Sequence, residues 1–436
     1  MKRSIIAVLL TGGCILTGCG VTAPHNDKAP VQETTVPVTT KVSTTAATTT
    51  TASATTTAPA TTTAVLSEPP ASVQMVPLDN VEVYQGLTVS QLFPDTNAEL
   101  LEKDKVIDTS EVGEKAVKVK FSYEGAVYEK DYAYQIHDTT PPIVLNSGWE
   151  PYAKQGQPLD FNKLVGYADN FDRSPVLTYT GEVDTNVCGS YPISVTVTDS
   201  SGNAVSWDMT VEVVPEIPKP QDNNPRVAFE DFKANNDYAD ARFGIDVSAW
   251  QTNVDYNAVK EQGVEFVIMR MGYYYSEIKM DDYYKRNIEE ATAAGLDIGV
   301  YFYTTDNTEE GVREHARWIV EQLGGRQTYF PIAFDWEEFG HFQQYGMNIH
   351  DLNDLFEAFC DELEKAGYKG MLYSSKNFLN NFWTNRNNRP VWLAHFVDVT
   401  DYTGPYAIWQ ASAYVRMNGI EGDVDVDIQF VNEPLE

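Results

Sequence analysis

The sequence predicts a multidomain chain that ends in an α/β barrel of eight strands and five helices, preceded by two small all-β sandwiches and a disordered Thr-rich linker. Three observations carry that prediction. From residue 243 onward, short apolar strands alternate with helical stretches. Upstream, runs with a two-residue hydrophobic period recur once at an offset of 76 residues. Ahead of both, sixteen of the thirty residues from Thr34 to Thr63 are threonine, with one charge and no aromatic.

The length of 436 residues and the 42% hydrophobic content allow several packed domains. Lys and Arg total 31 against 63 Asp and Glu, a formal charge of -32. Such a balance argues against binding a nucleic acid backbone, so no nucleic acid partner is expected. The cysteines Cys14, Cys19, Cys188 and Cys360 are too few and too scattered for a disulfide scaffold, and no Cys/His spacing suits zinc.

In order along the chain, Lys2 and Arg3 precede the apolar run Ile5 to Leu10, and Leu16-Thr17-Gly18-Cys19 follows. This resembles a bacterial lipoprotein signal, which implies removal of residues 1–18 and lipid on Cys19. An ordinary secretory signal is the alternative; the apolar stretch is shorter than the roughly 18–20 residues that span a bilayer. Residues 19–72 then read as a Thr/Pro-rich disordered tether, because they bury too little to offset the entropy of folding. Such a tether could reach on the order of 100 Å.

The segment Ile107 to Gly113 recurs as Val183 to Gly189, and each copy runs into an alternating strand and a turn, Glu124-Gly125 or Asp199 to Asn203. Two modules follow, at residues 73–140 and 141–214, with Asp138-Thr139-Thr140-Pro141-Pro142 between them. The hairpins resemble those of immunoglobulin-like modules of bacterial surface proteins, whose usual role is spacing. Their Asp and Asn turn residues are accounted for by hairpin chemistry without a metal. Pro215, Pro218 and Pro220 mark a second linker, residues 215–239.

In residues 240–436, strands are expected at 243–247, 266–271, 298–303, 330–336, 371–374, 391–396, 407–411 and 424–430. Four helices can be located, at 256–262, 283–294, 309–323 and 352–366, within a count of five. Leu352, Leu355, Phe356, Phe359 and Leu363 share one helical face, and Gly367 suits its C-terminal cap. Repeated βα units imply a parallel sheet that closes into a barrel with its site at the strand C-terminal ends.

Those ends are acidic. In Asp335-Trp336-Glu337, strand alternation puts both carboxylates on one face, about 6–7 Å apart at Cα. Crowded acids raise one another's pKa, so one can act as a general acid while the other stays ionised. Such pairs are what glycoside hydrolysis uses, although helix caps and solvated edges also place acids at strand ends. Asp246 ends the first strand, and Asp423, Asp425 and Asp427 alternate on the last. Tyr301, Tyr303, Tyr373, Trp392 and Trp409 offer faces for stacking sugars.

Taken in order, Gly244-Ile245-Asp246-Val247-Ser248-Ala249-Trp250-Gln251, Phe334-Asp335-Trp336-Glu337, Leu372-Tyr373-Ser374, Trp392-Leu393-Ala394-His395, Trp409-Gln410 and Gly422-Asp423-Val424-Asp425 resemble glycoside hydrolase family 25. The resemblance covers residues 240–436 and implies a (β/α)5β3 barrel and N-acetylmuramidase (lysozyme) activity. It implies Glu337 as general acid/base, Asp335 as the carboxylate beside the reacting centre, and Asp246 and Asp425 as further site acids. Gln410 is expected to join the aromatic residues in binding substrate. Tyr301-Phe302-Tyr303 stands where many members have Tyr-His-Phe, which removes a histidine but no acid. The family retains anomeric configuration; whether Asp335 attacks or orients the substrate's own acetamido group stays open, with the second preferred.

The expected protein is therefore a monomeric lysozyme without metal or cofactor. It is held to the outer face of a bacterial membrane through Cys19, with peptidoglycan glycan strands as partner and substrate. An inactive wall-binding or adhesion protein, and a glycosidase acting on another N-acetylglucosamine polymer, are the alternatives. The sequence has no G-x-S-x-G, no H-E-x-x-H and no phosphate-binding glycine loop.

Overall fold

The computed structural model describes residues 65–145, 151–219, 222–384 and 387–431. The signal segment, Cys19 and nearly all of the tether lie outside the described residues. Within them, no helix is long and apolar enough to cross a membrane.

The first module is built on the hairpin Gly113–Tyr123 and Ala126–His137, paired in register from Gly113↔Ile136 to Tyr123↔Ala126. Glu124 and Gly125 both take positive φ, the two-residue turn that matches strand twist. Short strands complete one five-stranded sheet, including Val65–Leu66, which composition assigned to the tether. Where a sandwich would have a second sheet, the short helix Val89–Leu92 and neighbouring loops bury Val81, Leu87, Leu92 and Phe93 against Val119 and Phe121. The second module carries the hairpin Gly189–Thr198 and Ala204–Val214 in a four-stranded sheet, and a two-stranded sheet of Ile143–Val144 with Tyr167–Ala168. The repeat has a structural cause. In each copy an Asx turn, Ser110 N–H to Asp108 Oδ1 and Asn186 N–H to Asp184 Oδ1 at 3.0 Å each, sets the chain into the long strand.

The C-terminal region is a closed barrel of eight strands. They are β1 (Ala241–Val247), β2 (Phe266–Tyr274), β3 (Asp297–Thr304), β4 (Ile332–Asp335), β5 (Gly370–Ser375), β6 (Val391–Ala394), β7 (Ile408–Arg416) and β8 (Val424–Phe430). Joins from β1 to β7 are parallel, and β8 runs antiparallel to both β7 and β1. Its direction follows from the short connection after β7, which permits only an antiparallel return.

Helices α1 (Tyr256–Glu261), α2 (Tyr284–Ala294), α3 (Glu309–Leu323), α4 (Ile349–Lys365) and α5 (Lys376–Asn381) follow the first five strands in turn. The sequence reading places no helix at α5. A 3-10 helix, Glu338–Tyr345, stands between β4 and α4. The cap of α4 is a reciprocal box between Asn348 and Asp351, and Gly367 takes φ +81° just past its end.

Strand alternation sorts the side chains into two cores. Ile245, Val267, Phe302, Phe334, Leu393 and Val426 pack outward against the helices. Phe266, Ile268, Ala333, Met371, Trp392 and Ile408 fill the barrel interior, with Tyr301 and Tyr373 packed onto them. Gly244 is inward-facing, and a Cβ there would be driven into the Phe266 ring.

The barrel also recruits chain that composition assigned to the 215–239 linker. Val227–Ala228 pairs with β7, and the helix Phe229–Asn235 buries Phe229 and Phe232 in the outer core, because two aromatic residues outweigh the polar sequence around them. Both modules dock on the barrel beside α4. Tyr84 of the first stacks on His350 at 3.5 Å between ring centroids. From the second, Arg173 makes a two-pronged bond to Asp351 (2.6 and 2.8 Å), and the Asp169 carbonyl accepts from the Ile349 N–H at 2.8 Å.

Candidate active site

The barrel interior is apolar at one end and acidic at the other. β1 and β8 are antiparallel neighbours with Asp246 opposite Asp425 and Gly244 opposite Asp427, so all three carboxylates share the inner face, Asp427 one step deeper. Asp335 ends β4, flanked in register by Tyr303 on β3 and Tyr373 on β5. Trp336 turns outward, buried, with its indole N–H donating to the Asp306 carbonyl at 3.2 Å. The next residue, Glu337, opens the 3-10 helix and keeps part of its surface open to solvent.

Hydrogen bonds hold these groups in place. The Tyr373 hydroxyl donates to Gln410 Oε1 at 2.9 Å, and Gln410 Nε2 donates to Asp246 Oδ2 at 2.7 Å. The Trp392 indole donates to Asp427 Oδ1 at 2.8 Å. The Tyr303 hydroxyl donates to Glu338 Oε1 at 2.6 Å. Asp335 Oδ1 and Asp427 Oδ2 are buried with no protein partner.

Burial dominates the electrostatics. It pushes Glu337 up to about 7, helped by the charges of Glu338 and Asp425. It pushes Asp425 up to about 7 as well, with a contribution from Asp423. Asp335 stands well above the carboxylate range through burial and the Glu337 charge, opposed by the Arg270 guanidinium. Asp246 is raised by burial and by Asp425 and Asp427, while the Gln410 bond pulls the other way. Four crowded acids, Asp246 and Asp335 buried and Glu337 and Asp425 half-buried, resist ionising together near neutrality, so protons remain available there for transfer.

The structure brings Asp246, Asp335, Glu337 and Asp425 together with Tyr301, Tyr303, Tyr373 and Gln410. Asp423 lies apart, bonded to Arg226 (2.8 Å) and Arg416 (2.7 Å). Two of the expected stacking faces are corrected. Trp409 is 1% exposed and points outward into the helix layer, donating to the His395 carbonyl; strand alternation between Ile408 and Gln410 requires it. Trp392 does face inward, but it is also 1% exposed, sealed under Tyr301 and Tyr373, with ring centroids 5.9 and 4.6 Å away. Neither presents a face to a sugar. Trp250, Tyr275 and Phe396, exposed just beyond the C-terminal ends of β1, β2 and β6, can do so. Cys19 lies outside the described residues.

Sequence reasoning missed Arg270 and Asp281. Arg270 sits on β2 inside the barrel, bonded to Asp281 Oδ2 at 2.8 Å, and Asp281 also accepts from the Ala249 N–H at 2.9 Å. The signal was available: an arginine at an inward, even-spaced position of an otherwise apolar strand, Phe266 to Met271.

A closed α/β barrel with paired carboxylates of raised pKa at the C-terminal ends of its strands is an arrangement suited to acid/base chemistry. Residues 245–420 match the family described as glycosyl hydrolases family 25. The match ends before β8, so it does not include Asp425 or Asp427. The chain is similar to the autolytic lysozyme of Clostridium acetobutylicum (30% identical over 188 residues, 42% of this chain and 54% of that protein). It is also similar to lysozyme M1 of Streptomyces globisporus (27% identical over 203 residues, 42% of this chain and 65% of that protein). The crystal structure of a bacterial lysozyme from Streptomyces coelicolor is 24% identical with a TM-score of 0.40, over 45% of this chain and 94% of that one. The chain thus spans just over half to about two thirds of the two curated relatives described.

Proposed function

We propose that the protein is a peptidoglycan hydrolase that cleaves the β-1,4 bond between N-acetylmuramic acid and N-acetylglucosamine. The observation that carries this is the Asp335/Glu337 pair at the barrel mouth, with Glu337 held up at about 7 beside a second, more deeply buried acid. The family match and the likeness to two lysozymes supply the substrate class.

In this reading Glu337 is protonated when the glycan binds and gives its proton to the leaving glycosidic oxygen. Asp335 accepts the N–H of the substrate's 2-acetamido group, whose oxygen closes on the anomeric carbon to form an oxazolinium ion. Burial and the Glu337 charge hold Asp335 toward its protonated form in the free site, so it must ionise for this step. Once Glu337 carries the proton that repulsion is gone, the Arg270 guanidinium favours the carboxylate, and the carboxylate supports the developing positive charge. Glu337 then takes a proton from water as the water opens the ring, so configuration is retained. Arg270 favours the charged form of Asp335, and Gln410 orients Asp246 and Tyr373. Tyr301, Tyr303 and Tyr373 line the cavity above its apolar floor.

The element order is read as a (β/α)5β3 barrel, and the upstream modules, the first of which has a single sheet in place of a sandwich, as spacers on the strength of their repeated hairpins. The lipobox at Leu16 to Cys19 supports a lipid-anchored protein on the outer face of the bacterial membrane, acting as a monomer on the wall. Digestion of purified peptidoglycan, borohydride reduction and mass spectrometry of the fragments test the activity. A reduced N-acetylmuramic acid end is expected. A reduced N-acetylglucosamine end, or no new end, overturns the assignment.

A further inference from the structure

Outside the barrel mouth, the described residues bring three carboxylates together where the two modules meet the barrel. Asp138 leaves the last strand of the first module, Asp169 follows Tyr167–Ala168, and Asp199 opens the turn between Gly189–Thr198 and Ala204–Val214. They are 6%, 0% and 6% exposed, and an oxygen from each lies within 4.8 Å of the others.

Their hydrogen bonds leave part of the cluster bare. Asp169 Oδ1 accepts from the Phe171 and Asp172 N–H groups at 2.9 and 2.6 Å. Asp138 Oδ1 accepts from the Thr140 N–H and Asn170 Nδ2, both at 3.3 Å. The Asp199 oxygens accept from the Asn203 N–H and Nδ2 at 2.8 and 2.9 Å. Asp169 Oδ2 and Asn170 Oδ1 are buried without any partner, while at Asp138 the Ser201 hydroxyl hydrogen-bonds the carboxyl and favours its charged form. Buried acceptor oxygens with no donor are a costly arrangement.

No lysine, arginine or histidine forms an ion pair with any of the three among the described residues. The cluster thus brings three carboxylates together with bare oxygens and no basic side chain paired to them among the described residues.

We infer that Asp138, Asp169, Asp199 and the Asn170 side-chain carbonyl bind a calcium ion that locks the two modules to each other and to the barrel. All the donors are hard oxygens, which suits Ca²⁺ and not zinc or copper. Three carboxylates of uneven presentation and one amide oxygen fit the irregular six- to eight-fold shell of Ca²⁺ better than the strict octahedron of Mg²⁺. The turn residues that hairpin chemistry explains one by one converge here from three separate turns, which hairpin chemistry does not require.

The neighbouring bonds show what such an ion would lock. Asn203 Nδ2 donates to the Asp138 carbonyl at 3.0 Å, joining the second module's hairpin to the end of the first. The Asp169 carbonyl accepts from Ile349, and the Phe171 carbonyl accepts from Asn348 Nδ2 at 2.7 Å, both at the start of α4. The ion would therefore stiffen the joint that sets the modules' orientation relative to the barrel.

The test uses the full chain, stripped with EDTA and dialysed, titrated calorimetrically with CaCl2 and separately with MgCl2. One Ca²⁺ per chain is expected, with a Kd on the order of 0.1–1 mM as for extracellular modules, and weaker Mg²⁺ binding. Saturating Ca²⁺ should raise Tm by several degrees. Asp169→Asn and Asp199→Asn should each weaken binding at least tenfold and remove the Tm shift; if one does not fold, the other decides. Absence of Ca²⁺ binding in the wild-type chain overturns the inference. So does binding that survives in the folded variants and is lost instead in Asp427→Asn, which assigns the ion to the barrel. A wild-type chain that gains stability from acidification but not from Ca²⁺ means that the carboxyls hold protons in place of a metal, and overturns it as well.

Discussion

At the scale of single residues, Glu337 and Asp335 differ in a way that suits different tasks. Asp335 ends a strand inside the barrel, whereas Glu337 lies past the strand end with an edge toward solvent, able to exchange protons between turnovers. Glu337→Gln is expected to keep the fold, since the amide is nearly isosteric, and to lower turnover by about 10²-fold to 10⁴-fold, read as reducing ends released from peptidoglycan. In the wild type, activity should decline as pH rises through about 7, because the general acid then enters the cycle already ionised. A rate that keeps rising to pH 9 would remove Glu337 from that role. The raised acids also bear on stability. Their folded pKa values exceed the unfolded ones, so their stabilising contribution is complete below the unfolded value near 4 and is lost as pH rises through about 7. Asp427, raised above its ordinary 3.8 by burial, should show this most simply. Asp427→Asn keeps an acceptor for the Trp392 indole and should raise Tm at pH 8 while changing little at pH 4, measured by calorimetry at both.

At the scale of elements, the chain that follows β4 is the critical one. Within about fifteen residues it supplies Asp335, Glu337, the 3-10 helix and the cap of α4, and this stretch also receives both modules. Gln343 in the 3-10 helix donates to the Asn162 and Val165 carbonyls at 2.9 Å, and Asn348 serves as both helix cap and module contact. Asn348→Ala removes the capping bond to the Asp351 N–H, worth about 1 kcal/mol, together with the bond to the Phe171 carbonyl. A fall in Tm and faster proteolysis between module and barrel are expected; a fall in Tm without faster proteolysis would limit the effect to the cap. On β1, Gly244 leaves room for the Phe266 ring, so Gly244→Ala should cost roughly 1–3 kcal/mol by overpacking the barrel floor, checked by denaturant unfolding.

At the scale of the whole molecule, the modules contact the barrel through an aromatic stack, a two-pronged ion pair and backbone bonds. That arrangement holds the barrel mouth at a set attitude to the modules. Two acyl chains suffice for stable membrane attachment where one does not. Cys19→Ala is therefore expected to move the protein from the detergent phase to the aqueous phase on partitioning, with hydrolysis of soluble peptidoglycan fragments unchanged. Equal partitioning of both forms would reject the lipid anchor.

The sequence by itself determined the alternation of strands and helices after residue 243, the internal repeat, and the acids at the strand ends. Each is written in local periodicity, and a two-residue or 3.6-residue period says which side of an element a residue takes. Asp246 and Asp335 stand out this way, whereas periodicity leaves Asp423, Asp425 and Asp427 equivalent and only the family resemblance implies Asp425. Only the tertiary structure decided what closed the cavity around them. Trp392 and Trp409 are adjacent-strand tryptophans with equal claim in the sequence, but one became the barrel floor and the other the outer wall, because strand register and closure are set by pairing between distant segments. Arg270 reached Asp335's neighbourhood in the same way, across strands. Val227–Ala228 and Phe229–Asn235 read as linker from their surroundings, yet joined the barrel because the surface that buries Phe229 and Phe232 exists only once β7 and β1 are in place. The three turns that carry Asp138, Asp169 and Asp199 are ordinary one at a time; their convergence belongs to packing between modules, which no local pattern records.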